Sequence, residues 1–320
     1  MERRVRWGLI GCGDIAEKRV APALKATGSL LAVAASRAER AAEFARRHEV
    51  PRSSGDWRDL VRDPEIDALY VATPVHLHPE PTIAAAEAGK HVLCEKPMAL
   101  DPAACERMIA AARAHDVRLG VAYYRHHYPV VTRLRALLAS GEIGSPVLVH
   151  AQAFEAFDVP PDHPRAWFLR RADAGGGPMF DFGCHRLEVM LDLLGPVERV
   201  DGFPANVRYR EREVEDTCVT RLAFTGGAQG VLVVTHAARE SRDTFELYGT
   251  EGSAHIPVLN KGTLRIVTPA GTREETHPPH ANIHQPLIED FTAAVIAGRA
   301  PTVTGEIGLA VARVIEAIYG

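Results

Sequence analysis

The segment Gly11-Cys12-Gly13-Asp14-Ile15-Ala16 follows an apolar run, Val5–Ile10, and precedes a helical pattern that continues to about Lys25. A G-x-G-x-x-A sequence at a strand-to-helix junction leaves few folds open. The first glycine permits a tight turn, the second lets backbone approach a bound group, and the small third residue lets helix pack on strand. The helix start behind it offers unpaired N–H groups and a positive dipole end to an anion. The motif alone is a glycine turn before a packed helix. In this context, near the N-terminus, it becomes a dinucleotide-binding fingerprint. Gly11, Cys12, Gly13, Asp14 and Ile15 are then expected to cradle a pyrophosphate.

The pattern repeats. Leu30–Ala35 reads as a strand, Ala38–His48 as a helix and Ile66–Ala72 as a strand. A helix from about Pro79 to Ala88 closes on Gly89, His91–Cys94 is a strand, and Asp101-Pro102 opens a further helix. Arg118–Ala122 ends the series. Such alternation predicts an α/β domain, a doubly wound parallel sheet with helices on both faces. Beyond Tyr124 the grammar changes. A helix over about Tyr128–Ala139 is followed by strand-like runs at Val147–Ala153, Val197–Phe203, Thr217–Phe224, Ala228–His236, Thr244–Gly249 and Thr263–Val267. Gly226-Gly227, Gly249–Gly252 and Asn260–Gly262 supply hairpin turns between them. Two helices, about Leu287–Ala297 and Glu306–Tyr319, finish the chain. The second part is thus expected to be α+β with a large, mostly antiparallel sheet. The division expected is 1–122 and 123–320, with no flexible tether.

Composition agrees and excludes other classes. A chain of 320 residues suits two domains at about 150 residues each. Apolar residues at 46% and charged residues at 24% exclude disorder as the dominant state. Thirty-seven basic against 41 acidic side chains give a net charge of −4, which speaks against a nucleic-acid partner. No run approaches the roughly 18 apolar residues of a membrane span, so no membrane partner is expected. The run Trp7–Cys12, behind Arg3, Arg4 and Arg6, is too short for a signal peptide. Five scattered cysteines without a Cys-x-x-Cys fit a reducing cytoplasm, and neither a disulfide framework nor a zinc finger. His76 and His78 near Cys94 match no structural zinc spacing, so no metal is expected.

In a doubly wound sheet, ligands sit outside the carboxyl ends of the strands. That rule selects the glycine loop, Ser36-Arg37, Thr73-Pro74 with His76 and His78, Glu95-Lys96-Pro97, and Tyr123–His126. An acid for a ribose 2′-hydroxyl is expected about 20 residues after the glycines. Ser36 and Arg37 stand there instead, with Arg40 close by, and favour the 2′-phosphate of NADP over NAD. Arg37 and Arg40 also read as a solvated helix start. Lys96 falls where a nicotinamide is expected, held extended by the following proline. There it can accept a hydroxyl proton when neutral or polarise a carbonyl as ammonium. Taken by itself it reads as a surface lysine with its stem packed on the sheet edge. Farther on, helical spacing puts Asp181, His185 and Glu188 on one stripe, an arrangement suited to proton transfer by an oriented base. Asp181 as a helix cap and His185 as a core histidine is an equal reading from spacing alone.

At these residues the sequence resembles the Gfo/Idh/MocA oxidoreductases, the family of glucose–fructose oxidoreductase and inositol dehydrogenase. The resemblance runs through GCGDIA, VATPVHLHPE, AGKHVLCEKPMAL, SGEIGSPV, AGGGPMFDFGCH, ELYGTEGS and PLIEDFTAAVIAGRAP. It implies a Rossmann domain for NAD(P) over 1–122. Over 123–320 it implies an open-faced sheet domain for substrate and for assembly into a homodimer or homotetramer. It implies Lys96 as the catalytic lysine, with Asp181 and His185 in the substrate site and His185 transferring protons. Tyr124, Arg125 and Trp167 are implied to face substrate, and Arg170-Arg171 resemble a stretch that contacts cofactor or substrate. Thr73, Pro74, His76, His78 and Glu95 join the cofactor set. Two positions depart from the family: Val75 replaces the common Asn, and Glu188 replaces the common Asp.

The reaction expected is reversible hydride transfer between a nicotinamide and a secondary alcohol of a sugar or polyol, in the cytoplasm. Two other readings stand beside it: glycoside cleavage with a tightly held nicotinamide as transient oxidant, and a non-catalytic NADP sensor. His277, His280 and His284 are read as lying in a solvated Pro-rich loop. Cys12 and Cys184 lie inside the two motifs, so oxidation there is expected to cost activity.

Overall fold

The computed structural model describes residues 4–320; residues 1–3, including Arg3, lie outside the described residues. The chain divides into two compact units. The first comprises 1–124 with 280–312, the second 125–279 with 313–320. The expected division at 122 kept 280–312 with the second domain, whereas those residues pack with the first. Packing explains the difference, because the Phe291 ring lies 5.7 Å from that of Trp7 and fills the space over Gly120.

In the first unit the strands are β1 (Arg6–Ile10), β2 (Ser29–Ala34), β3 (Arg52–Ser54), β4 (Ala68–Val71), β5 (His91–Cys94) and β6 (Leu119–Val121). They form a parallel sheet in the order β3-β2-β1-β4-β5-β6. Its helices are α1 (Ala21–Thr27), α2 (Ala38–His48), α3 (Trp57–Arg62), α4 (Pro79–Glu87) and α5 (Pro102–Ala114). The strand order reverses between β1 and β4. That reversal opens the crevice in which ligands of such sheets bind. β3 and α3 are absent from the sequence reading, because β3 is three polar residues without an apolar run. The local signal for α3 is a cap: the Asp56 side chain accepts the Arg58 N–H.

The second unit begins with α6 (Pro129–Ser140), then β7 (Pro146–Phe154), α7 (Arg171–Ala174), α8 (Cys184–Leu194), β8 (Val197–Ala205), β9 (Thr217–Phe224) and β10 (Gln229–Thr235). β11 (Arg242–Gly249), β12 (Ser253–Ile256), β13 (Thr263–Thr268) and β14 (Gly271–Thr276) follow. The eight strands run β14-β13-β12-β11-β7-β10-β9-β8, antiparallel except for the pair β7–β10. α8 packs on β7 and β10, so Val149, Ala151 and Leu232 are buried beneath it. The opposite face carries half-exposed residues in period-two alternation, as an antiparallel sheet with one covered face should. β12 and β14 escape the sequence reading: β12 is four residues long, and β14 is a polar edge strand. After these come α9 (Gln285–Ala297), in the first unit, and α10 (Gly305–Tyr319).

Candidate functional site

Each unit carries part of the expected site. In the first, the glycine loop leaves β1 and enters a helical path over 14–27 whose first turns, Ala16–Val20, are a π-helix. Gly11 has a φ of +108°, and a Cβ there would lie 2.4 Å from the Ala72 carbonyl oxygen. The loop is thus pressed against the end of β4, and only glycine fits. A Cβ on Gly13 would meet nothing within 4 Å, so open space lies where a pyrophosphate would approach the backbone. Half-buried Gly13 and exposed Asp14 and Ile15 border that space. These residues fit a dinucleotide.

Ser36 and Arg37 are exposed at the end of β2. Arg40 turns back, and its Nη2 donates to the Cys12 carbonyl at 2.8 Å. Part of its fork therefore braces the loop. Cys12 is buried, and burial pushes its thiol up to about 12. The Cys184 thiol is buried as well and donates to the Phe180 carbonyl at 3.1 Å. Both thiols are therefore shielded from reagents in solvent.

Thr73 and Pro74 are half-buried after β4. His78, expected among the cofactor contacts, is 1% exposed. Its Nε2 faces the Thr73 carbonyl at 2.8 Å and its Nδ1 the Pro97 carbonyl at 3.0 Å. Burial lowers its pKa and favours a neutral ring, which donates to one of the two carbonyls at a time. His78 ties the Thr73 turn to the Lys96-Pro97 turn and so belongs to the scaffold. His76 is half-buried two residues earlier.

Lys96 is half-buried beyond β5, and its peptide bond to Pro97 is cis. Beneath it lies Glu95, 6% exposed. Burial pushes this carboxyl up, but His284, Lys96 and Tyr70 outweigh it and hold the group below the ordinary range. An ionised carboxylate beside Lys96 favours the ammonium form of that lysine. Glu95 was expected to touch cofactor; instead its oxygens face protein donors. His284, expected in a solvated loop, is fully buried against it. Tyr124, half-buried, closes this group with its ring 4.8 Å from that of His284.

In the second unit, the triple glycine leads into a second π-turn, Met179–Gly183, and then α8. Among the described residues, π-turns occur only at these two motifs, and such turns frequently mark functional sites. The wider turn displaces the stripe inferred from i, i+4 spacing. Asp181 is half-buried, and its Oδ2 lies 3.4 Å from Nε2 of His236. His185 is 2% exposed in the first turn of α8. Glu188 is engaged elsewhere: its Oε1 is 2.6 Å from Nδ1 of His126. Burial raises the Glu188 pKa despite that partner. The longer acid thus belongs to a buried pair beneath the helix, and not to His185.

The glycine turn is fixed by Glu215, whose carboxylate accepts the Gly177 N–H at 2.8 Å and the Tyr319 hydroxyl at 2.6 Å. Trp167 is half-buried and stacks on Phe168 at 3.9 Å. Arg125 is buried and donates to Asn260 at 3.3 Å. Arg170 and Arg171 are exposed; Arg170 pairs with the Asp173 carboxylate, and the Arg171 guanidinium donates to the Glu213 backbone carbonyl. His236, His126 and His284 were missed as partners, because each meets its carboxylate only through tertiary packing; no local spacing carries that signal. Among the described residues, no group of three or more His, Cys, Asp or Glu forms a metal site.

Comparison with known proteins agrees with this architecture. Residues 5–123 match the oxidoreductase family described as having an NAD-binding Rossmann fold, and 131–255 match the GFO/IDH/MocA C-terminal domain. A 1,5-anhydro-D-fructose reductase from Ensifer adhaerens is 33% identical over 310 residues, covering 95% of this chain and 92% of the relative. A levoglucosan dehydrogenase from Pseudarthrobacter phenanthrenivorans is 32% identical over 73% of this chain and 66% of its own length. A solved levoglucosan dehydrogenase, in complex with NADH and levoglucosan, superposes with a TM-score of 0.92 at 27% identity, covering 99% of this chain and 96% of that one. With both regions matched and a relative one-third identical along nearly its whole length, the chain belongs to the GFO/IDH/MocA family of oxidoreductases.

Proposed function

We propose that this protein is a nicotinamide-dependent oxidoreductase that interconverts a secondary alcohol and a ketone on a sugar or polyol. The observation that carries the reading is Lys96 beside an ionised, buried Glu95, on the same sheet edge as a glycine cradle that fits a pyrophosphate. The named relatives are sugar reductases and dehydrogenases, which favours this reading over glycoside cleavage and over sensing.

When bound, the nicotinamide supplies the hydride acceptor or donor. Lys96 binds the substrate oxygen as an ammonium ion, the form that the Glu95 charge favours. His185 takes the hydroxyl proton as the hydride leaves carbon, and returns it in the reverse direction. Asp181 holds a neighbouring hydroxyl or orients His185. Tyr124, Arg125 and Trp167 border the substrate. Ser36 and Arg37 receive a 2′-phosphate, so NADP is preferred over NAD, while Arg40 steadies the loop for either. The five free cysteines suit a reducing cytoplasm; among the described residues no helix is long and apolar enough to cross a membrane.

The second unit's open sheet face supports assembly. Phe203 is 67% exposed and pairs across strands with Val219, which is 42% exposed and opposite Val233. Exposed apolar residues grouped on a sheet face mark an interaction surface, and we assign this face to a homodimer or homotetramer.

The test is nicotinamide absorbance on mixing the protein with levoglucosan and oxidised NADP or NAD, or with 1,5-anhydro-D-fructose and the reduced forms. Turnover faster with the phosphorylated dinucleotide is expected. No turnover across these and a panel of polyols would reject the reading.

A further inference from the structure

Glu95 is held from three sides, all within the first unit. Its Oε1 accepts the Tyr70 hydroxyl at 2.8 Å and faces Nε2 of His284 at 3.3 Å. Its Oε2 accepts the backbone N–H of Lys96 at 3.2 Å. A carboxylate that is ionised only accepts, so the hydrogen between His284 and Glu95 sits on Nε2. His284 is 0% exposed, reaches Glu95 from 189 residues farther along the chain, and is covered by the Tyr124 ring. Tyr70 is equally buried, and burial together with Glu95 drives its hydroxyl pKa far up, so it stays a donor.

The arrangement has a directional consequence. Donors on Oε1 fix the carboxylate plane, and the fixed plane aims Oε2 at the Lys96 amide. That amide sets the point from which the Lys96 side chain starts. Removing the His284 donor frees the carboxylate to rotate about its last bond and loosens its hold on that amide. Catalytic groups must be held within a fraction of an ångström by neighbours that are themselves locked.

We propose that His284 is a positioning residue for Lys96, acting through Glu95. The proposal rests on the assignment of Lys96 as the residue that binds the reacting oxygen. It gives the segment after residue 279 a role in the reaction beyond packing.

The test compares His284→Leu, His284→Gln and Lys96→Ala with the natural protein. Glutamine retains a donor near the Nε2 position, whereas leucine retains only bulk. Two readouts are used: steady-state kinetics with the sugar probes named above, and hydrogen exchange of the Lys96 amide without any ligand. In His284→Leu, kcat is expected to fall about tenfold or more with KM little changed, as for loss of a hydrogen bond to a charged group. The Lys96 amide is expected to exchange faster in step. His284→Gln should restore most of both. Unchanged Lys96 exchange in His284→Leu overturns the proposal, as does equal loss in the leucine and glutamine variants. The two assignments fail separately. If Lys96→Ala keeps full turnover, the role of Lys96 is wrong. If Lys96→Ala is inactive and His284→Leu is not impaired, only the role of His284 is wrong.

Discussion

Asp181 Oδ2 lies 3.4 Å from Nε2 of His236, a ring 1% exposed between Phe157 and Phe182. Neither nitrogen of that ring has a hydrogen-bond partner among the described residues, so the approach to Asp181 is an electrostatic contact and not a hydrogen bond. The contact restrains Asp181 at the π-turn that precedes His185. His236→Phe keeps the ring's bulk and removes the contact. It should lower kcat/KM about tenfold, the scale of one lost charge-assisted contact. The melting temperature should shift little, and steady-state kinetics beside a thermal melt checks both.

Arg37 offers a different test, because its effect should depend on the cofactor. Arg37→Ser should weaken NADP about tenfold, as expected for one guanidinium–phosphate contact. NAD affinity should stay near the natural value. Arg40→Ala should weaken both, since Arg40 braces the Cys12 carbonyl. Titration calorimetry with each dinucleotide reads the difference.

The Glu95 carboxyl is held below its ordinary range in the folded protein. Its contribution to stability is therefore present above the unfolded pKa, about 4.3. It is lost as pH falls through the lower folded value. Denaturant unfolding at a series of pH values should show stability dropping below about 4.3. Glu95→Gln should flatten that part of the curve.

The cysteines should be silent in the native state. Burial pushes the thiols of Cys12 and Cys105 up to about 12 and that of Cys218 to about 11. Burial likewise pushes the Cys94 thiol well above its ordinary value. A disulfide reagent at neutral pH should find all five thiols only after denaturant is added. Turnover should survive the native treatment.

The parts of the fold that were legible in sequence share a cause. β1, β4 and β5 announce themselves as apolar runs at the centre of a parallel sheet, buried on both faces. The glycine loop is legible because its chemistry is local: a turn, a close approach and a helix start. The short or polar strands β3, β12 and β14 hold their places through neighbours, and so carry no pattern of their own. The site divides the same way. Lys96 follows from strand-end position, and Asp181 with His185 from a resemblance carried by motif. His284 and His236 lie in segments remote from the carboxylates they meet, and a stripe drawn with α-helical spacing fails at the π-turn after Pro178. Glu188 departs for a different reason: it shares regular α8 with His185, but its carboxylate meets His126, from before α6, through tertiary packing.

The central claim is that Lys96 binds the reacting oxygen of a sugar alcohol or ketone in a nicotinamide-dependent hydride transfer. The most direct measurement is the single-turnover rate of nicotinamide absorbance change, with saturating dinucleotide and sugar, in the natural protein and in Lys96→Ala. The account predicts a fall of about a hundredfold or more, the usual scale for a lost electrostatic or acid–base group. Dinucleotide affinity should be retained. An unchanged single-turnover rate in Lys96→Ala would contradict it.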